Sequence, residues 1–565
     1  MHSDEIVQWA FALQGPCVCI CVAGGFSPVG ISIPLRGGGG APRRISVETD
    51  KTQVELTYRD GAWRAEGICV ALVSRDDGAT TVEIQSPRQS LRFVRLVWPF
   101  AVEPGARVYK DAWERLYGGL GGWFPSEACG ALPWFFLVSA GDRTDGVGVR
   151  VQPNAFAAWK LTEKTCELLL DVRAGSRPLR LGARTLAAVE IVTRKGMPGE
   201  SAFAAARAFA RVMCPSPRLP REPVYGFNDW YCNYGQGTAE AFLSNARAIA
   251  ALVEGEATRP FIVADDGWQL HEYKGDEVPA AGPWSAATPR WGLSMPDWAA
   301  RVRALGGKPG LWYRPFMPWT KMPDEWKIPG VMNPEWKRHA RIDPTVPSFV
   351  AQVRSDMARF RAWGMRLVKV DFLTYDWCGE YGLKMDDRVV MNEDCRWRDD
   401  TRTSAEVIGG LHRAIREGAG DDMLIIGCNA LNHLVPGLFE IQRTGDDTSG
   451  KDWARTRRMG PAALGMRAFM DRVFYVVDAD CAGLAEAGAI PWEKNRQWVD
   501  LLGRSGTAVF VSWPARFLDA QTRPALEAAL RRAARPRPTL EPLDWTTRFQ
   551  PTRWCDGTTT FSYTW

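Results

Sequence analysis

Four acidic clusters close short apolar runs in this chain: ADDGW at 264–268, LVKVDF at 367–372, RTGDD at 443–447 and DADC at 478–481. Carboxylates collected in this way suit three chemistries, namely divalent-metal binding, proton abstraction and cleavage of a glycosidic bond. Metal sites usually recruit His beside carboxylates. The chain has five His, and His2, His339 and His412 fall in terminus or helix patterns, which leaves His271 and His433 to approach a shared site. That count disfavours a catalytic zinc, and neither a metal nor a cofactor is expected. Glycosidic cleavage needs two carboxylates flanking one bond, one to attack and one to protonate the leaving oxygen. Asp371 and Asp447 are the candidates, with Asp446 the close competitor of Asp447.

These residues meet only if the runs that carry them lie side by side. Eight segments read as strands: VYGFNDW, RPFIVADD, KPGLWYRP, MRLVKVDF, DMLIIGC, LFEIQRT, RVFYVVDAD and TAVFVSW. Amphipathic patterns lie between them, such as FVAQVRSDMARFRAWG, whose apolar residues recur at helical spacing with Arg and Asp opposite. Closed by a last helix, QTRPALEAALRRAAR, they fit one (β/α)8 barrel over 220–535. A doubly wound open sheet is the alternative, but no glycine-rich phosphate loop follows the first strand. In a (β/α)8 barrel the active face is built at the C-terminal strand ends. Here those ends carry Asn228, Asp229 and Trp230; Asp265, Asp266 and Trp268; Tyr313 and Arg314; Lys369 and Asp371; Cys428 and Asn429; Arg443, Asp446 and Asp447; and Asp478 and Asp480. One acid at such a place is explained by helix capping. Acids at five of eight ends exceed what capping requires.

Ahead of the barrel, residues 1–215 hold short alternating runs such as VELTYRD, TTVEIQ and LRFVRLVW between Gly, Pro and Asp-Gly turns, the pattern of an antiparallel β-sandwich. CPSPRLPREP at 214–223, with four prolines, reads as the linker. Residues 536–565 read as a short or truncated C-terminal β segment. The expected architecture is therefore a multidomain α/β chain, a sandwich followed by a TIM barrel and a small β element.

At these motifs the sequence resembles the alpha-galactosidase (melibiase) clan of retaining glycoside hydrolases, nearest the bacterial branch with an N-terminal β-sandwich. NDWY (228–231), ADDGW, GLWYRP (310–315), LVKVDF, RTGDD and DADCAGL (478–484) resemble the clan's strand-end motifs, in order. The resemblance implies Asp371 as nucleophile and Asp447, four residues after Arg443, as acid/base. It implies Lys369, on the same strand face as Asp371, as a sugar-hydroxyl ligand. Asp265 and Asp266 match the pair that grips the 4- and 6-hydroxyls of galactose. Trp230, Trp268, Tyr313, Cys428, Asn429 and Arg443 complete the implied substrate-binding set. Three departures bear on the exact sugar: Arg314 stands where many relatives carry an acid or a small residue, Asn429 follows Cys428 at a position that varies with the 2-substituent, and the glycine-rich continuation of strand 5 is missing.

Structural readings stand beside these. Lys369 has a second reading as an interior lysine paired with Asp371, the Asp265-Asp266-Gly267 run as a plain turn, and Trp230, Trp268 and Trp312 as core. Two rival functions share the scaffold: a raffinose-synthase-like transglycosylase, and a catalytically silent sugar-binding relative. The composition narrows partners. A net charge of +5 over 565 residues, with no basic run interleaved with aromatics, argues against nucleic acid. No apolar run is long enough to span a bilayer. The 26 Trp suit the apolar faces of sugars, so a carbohydrate substrate is the expected partner, with homo-oligomerisation left open. Thirteen Cys, an odd number without metal-site spacing, read as free thiols; Cys17, Cys19 and Cys21 fall on one strand face. With no basic N-terminal region leading into a long apolar core, a cytoplasmic location is expected.

Overall fold

The computed structural model describes residues 31–32, 39–100, 102–117, 121–379, 390–391, 395–483 and 489–565. Cys17, Cys19 and Cys21 lie outside them. The alternating runs before the linker form one antiparallel ladder of fourteen strands, ordered so that the segment Gln53–Arg59 pairs with Arg44–Thr49 in one layer and with Ala62–Ala65 in the other. Its burial alternates along the strand, as the pleat requires. The ladder thereby folds onto itself as a sandwich. Phe136 of one layer meets Trp159 of the other with ring centroids 5.8 Å apart, and Trp98 flanks Trp159 at 6.2 Å.

One helix was not foreseen in this β-rich region. Ala202–Met213 is capped by Ser201, whose side chain accepts from the Ala204 amide, and it buries Phe203, Ala206, Phe209, Ala210 and Met213. That spacing is one face of a helix, and Phe209 packs on Phe135 of the sandwich at 6.4 Å.

After the linker, eight parallel strands close into a barrel: β1 (Tyr225–Asn228), β2 (Phe261–Ala264), β3 (Lys308–Tyr313), β4 (Leu367–Val370), β5 (Leu424–Gly427), β6 (Ile441–Arg443), β7 (Val476–Gly483) and β8 (Ala508–Ser512). β8 returns to β1 through Tyr225↔Val509 and Gly226↔Phe510, which closes the ring. Seven of the strands fall inside one of the eight sequence segments each, and β7 runs three residues past its segment, to Gly483. Helices Ala239–Leu252, Met295–Ala304, Pro347–Ala362, Ser404–Ala419, Trp492–Arg504 and Thr522–Ala533 cover the outside. Their starts follow the sequence: Pro347 sits in the first turn of its helix, and Thr403 and Glu406 form a capping box ahead of Ser404–Ala419.

Glu541–Pro542, Arg553–Cys555 and Thr560–Ser562 form a three-stranded sheet. Trp545 beside it wedges between the sandwich and the barrel, 5.3 Å from Trp123 and 5.7 Å from Phe469. The ten cysteines among the described residues form no disulfide with one another. No helix among those residues is long and apolar enough to cross a membrane.

Candidate active site

A cleft of about 650 Å³ opens at the C-terminal ends of the barrel strands. Its floor is Asp371, one residue past β4 and 6% exposed. β4 presents Lys369 and Asp371 to the interior because side chains two apart share a strand face. The Trp312 indole donates to Asp371 Oδ2 at 3.0 Å and the Phe372 amide to Oδ1 at 2.8 Å. Lys369 Nζ lies 3.8 Å away. Burial pushes the Asp371 carboxyl up, but Lys369, Arg115, Trp312 and the Phe372 amide outweigh it and hold it below the usual carboxylate range. Phe372 takes a left-handed backbone, φ +59°, which costs a non-glycine residue on the order of 1–3 kcal/mol. That turn aims the amide at Asp371.

Lys369 links the floor to the β2 wall, donating to Asp265 Oδ2 at 2.8 Å. Burial opposes its charge, yet Asp265, Cys428 and Asp371 hold it well above the usual lysine range. Asn228 Nδ2 donates to the same Asp265 oxygen at 2.6 Å, and the Asp266 amide to the other at 2.9 Å. Asp229 accepts from the Asp265 amide at 2.8 Å and from Asn233 Nδ2 at 3.0 Å. With no cation bonded to it, burial pushes Asp229 up to about 7. Asp266 lines the cleft and receives Gln269 Nε2 on Oδ1 at 2.6 Å. Gly267, at φ +112°, lets the Asp265-Asp266 turn approach Gly235 where a Cβ would sit 2.6 Å from the Gly235 carbonyl.

On the far side, Arg443 of β6 bonds Asp447 Oδ1 at 3.0 Å and Asp480 Oδ2 at 2.7 Å. Tyr231 and Thr448 also donate to Asp480, which fixes the guanidinium. Burial raises Asp447, but Arg443, Arg115 and Lys369 bring it below the usual range. Asp446 pairs with Arg455 at 2.5 Å. The Asp447 side chain is 41% exposed and that of Asp446 18%, so Asp447 is the freer of the two.

Of the residues expected from sequence, Trp230, Asp265, Asp266, Lys369, Asp371, Cys428, Asn429 and Asp447 line the cleft together. Arg443 stands behind Asp447, 2% exposed, and is not on the lining. Two expectations are corrected. Tyr313 is fully buried, facing the helix Pro347–Ala362, where its hydroxyl donates to Asp356 at 3.1 Å. It pairs in register with Val370, whereas Trp312 pairs with Lys369, so Trp312 is the β3 aromatic that shares the interior face. Trp268 is also fully buried; its indole donates to the Trp312 carbonyl at 2.9 Å, behind the wall. His433 is not on the lining either: it is buried at the sandwich contact, stacked on Trp134 at 5.7 Å, and burial pulls it down to about 3. Among the described residues, no group of three or more His, Cys, Asp and Glu is arranged to hold a metal ion.

No family sequence profile and no curated protein matches the chain. Solved structures do. The alpha-galactosidase of Thermus thermophilus, solved with p-nitrophenyl alpha-D-galactopyranoside, aligns over 92% of this chain and 99% of its own at 18% identity and TM-score 0.55. The GH36 alpha-galactosidase AgaA of Geobacillus stearothermophilus aligns over 92% and 78% at 12% identity and TM-score 0.55. AgaB of the same organism aligns over 88% and 77% at 13% identity and TM-score 0.55. The chain has the GH36 alpha-galactosidase fold.

Within that fold, two walls of the cleft escaped the sequence reading. The first comes from the sandwich: Arg115 and Tyr117 reach over the barrel mouth beside Asn429. The second is a set of rim residues, Glu335, Trp336 and Met317, which join Arg314 and His271. Arg314 is held by Asp376 at 2.7 and 2.8 Å and by Glu335 at 2.6 Å, with its guanidinium 4.0 Å from the Phe372 ring and 4.2 Å from that of Trp336. A cation clamped between two carboxylates and two rings is a fixed wall and not a free charge.

Proposed function

We propose that the protein is a retaining glycoside hydrolase that removes terminal alpha-galactosyl or closely related residues by double displacement, with Asp371 as nucleophile and Asp447 as general acid/base. The reading is carried by one observation: Asp371 is held as an anion by two hydrogen-bond donors and the Lys369 cation, in the same cleft as the more exposed Asp447. Asp371 attacks the anomeric carbon while Asp447 protonates the departing oxygen, giving a covalent glycosyl-enzyme. Sugar filling the cleft removes water from around Asp447 and pushes its carboxyl up, toward the protonated form that the first step needs. Once Asp371 is esterified its negative charge is gone. Asp447 then sits among Arg443, Arg115 and Lys369 with no neighbouring nucleophile charge, which favours the anion that deprotonates the attacking water.

Asp265 and Asp266, beside Lys369, supply acceptors and a donor for hydroxyls at the far end of the ring. The likeness to alpha-galactosidases supports a galactose-like terminal sugar. The test is release of the aryl group from a chromogenic alpha-galactoside, with Asp371→Asn as control. The wild type turns over in buffer, and Asp371→Asn loses on the order of 10⁴-fold or more while still binding. Release only with an added sugar acceptor would indicate a transglycosylase, and binding without release a silent sugar-binding protein. An Asp371→Asn enzyme near the wild-type rate refutes the nucleophile.

A further inference from the structure

The sandwich reaches the cleft through the short segment 111–117, which is tied to the barrel by a series of polar contacts. Asp111 is fully buried. Its Oδ1 accepts Arg467 Nε at 2.9 Å, and its Oδ2 accepts Trp134 Nε1 at 3.0 Å and Asn432 Nδ2 at 2.6 Å. Arg467 also donates to the carbonyls of Ala112 and Glu114, at 3.3 and 2.6 Å. The Asn432 amide donates to the Trp113 carbonyl and the Leu116 amide to that of Thr444, both at 2.7 Å. The backbone on both sides of Arg115 is thus tied to the loops after β5 and β6.

The side chains continue the pattern. Glu114 Oε1 accepts from Arg115 Nε at 3.0 Å, from the Tyr117 hydroxyl at 2.8 Å and from Asn429 Nδ2 at 2.6 Å. Its Oε2 accepts from Thr374 at 2.6 Å. Arg115 Nη2 is taken by Tyr117. Nη1 remains, on the cleft side, with Asp446 at 3.6 Å and Asp447 at 4.0 Å.

We propose that Arg115 is a specificity-determining residue that donates from Nη1 to the 2-hydroxyl of the bound sugar, while Tyr117 and Asn429 occupy the space that a 2-acetamido group would need. This rests on the galactosidase reading above. A hexose whose anomeric carbon lies over Asp371, and whose 4- and 6-hydroxyls are both gripped after β2, turns its C4–C5 edge toward β2. The opposite C1–C2 edge then lies on the far side, and with C1 over Asp371 the 2-position faces β5, where Cys428, Asn429 and the Arg115 wedge stand. Glu114 neutralises Arg115, so the pair offers a directed donor without adding net positive charge beside a transition state that is itself oxocarbenium-like. With two of its three nitrogens anchored, the guanidinium loses little freedom when it meets a substrate.

The experiment compares kcat/KM for an aryl alpha-galactoside, its 2-deoxy analogue and its 2-acetamido analogue in wild type, Arg115→Met and Arg115→Lys. Removing the hydroxyl changes intrinsic reactivity equally for every enzyme, so the informative number is how the hydroxy/deoxy ratio changes on mutation. That ratio drops on the order of 10- to 100-fold in Arg115→Met, the worth of one hydrogen bond from a charged donor, and less in Arg115→Lys. Wild type refuses the 2-acetamido substrate. A purely structural Arg115 slows both galactosides by the same factor and leaves the ratio unmoved, which overturns the proposal; so does wild-type turnover of the 2-acetamido substrate comparable to the 2-hydroxy one. Should Arg115→Met fail to fold, Arg115→Lys keeps a cation on Glu114 and carries the same ratio test. A wild type inactive on every galactoside removes the galactosidase reading and this assignment with it, whereas an unmoved ratio in an active enzyme removes Arg115 alone.

Discussion

Trp312→Phe isolates what the indole does for Asp371. The substitution keeps an aromatic ring between Trp284 and Phe372 and deletes the N–H that donates to Oδ2 at 3.0 Å. A hydrogen bond to a charged group contributes about 1.5–3 kcal/mol, and 1.36 kcal/mol corresponds to one pKa unit. Asp371 is 6% exposed, so little bulk water reaches the vacated position, and its carboxyl rises toward the usual carboxylate range. The Phe372 amide and Lys369 remain, so the carboxylate is weakened as an anion and not lost. Because the anion is the attacking form, the acid limb of kcat/KM moves to higher pH. Stability follows the same sign. A carboxyl held below its unfolded value stabilises the fold above the unfolded pKa, and that contribution disappears as pH falls through the folded pKa. The variant's stability deficit is therefore largest at neutral pH and shrinks on acidification to the packing loss alone. A pH–rate profile with an aryl galactoside and thermal melts across the same range read both effects. Superimposable acid limbs together with a pH-independent melting deficit would refute the reasoning and leave Trp312 as packing.

Asp447→Ala loses rate steeply for poor leaving groups and little for activated aryl ones, and azide restores turnover, because azide needs no general base; Asp446→Ala shows neither effect, and exchanged profiles in leaving-group and azide assays would redraw the site around Asp446. Epimerising the substrate at C4 leaves the Asp265-Asp266 wall with a buried unpaired acceptor, which costs about 1–3 kcal/mol or more for a charged group; equal kcat/KM on alpha-glucosides and alpha-galactosides would refute that grip. Arg467→Met strands Asp111, 0% exposed with its bridging cation gone, and destabilises the protein by about 3–5 kcal/mol in denaturant melts; a loss under about 1 kcal/mol would show the pair is not a clamp.

The eight strands and their acidic ends were legible because an apolar run closed by polar residues is a local signal. Lys369 and Asp371 could be set on one face by counting within β4. The parity of β3 could not, since it depends on Trp312 pairing with Lys369, a register between strands that only the closed sheet defines. Trp268 looked like a ligand from its place after Asp265-Asp266, but the positive φ of Gly267 turns the chain inward. Arg115 stood in a region read only as sandwich, and its neighbour Glu114 meets Asn429 across 315 residues of sequence. A signal was present: DAWERLY at 111–117 interrupts the alternation with buried charge. The helix Ala202–Met213 also carried its own marks, a Ser cap and a 3–4 apolar spacing, submerged in a β-rich context.

The dovetail between sandwich and barrel has a consequence for how such proteins diverge. A barrel whose rim is its own can change chemistry by altering its loops and can be recombined freely with other modules. This one shares its rim, since Arg115 and Tyr117 belong to the preceding module while Asn429 and Thr374 belong to the barrel. Exchanging the sandwich with that of a homologue transplants two residues of the pocket along with it, and the graft is accepted only where Asp111 again finds Arg467 and Asn432. Selectivity in this scaffold is thus inherited jointly, and a chimera is a substitution at the cleft even when every barrel residue is retained.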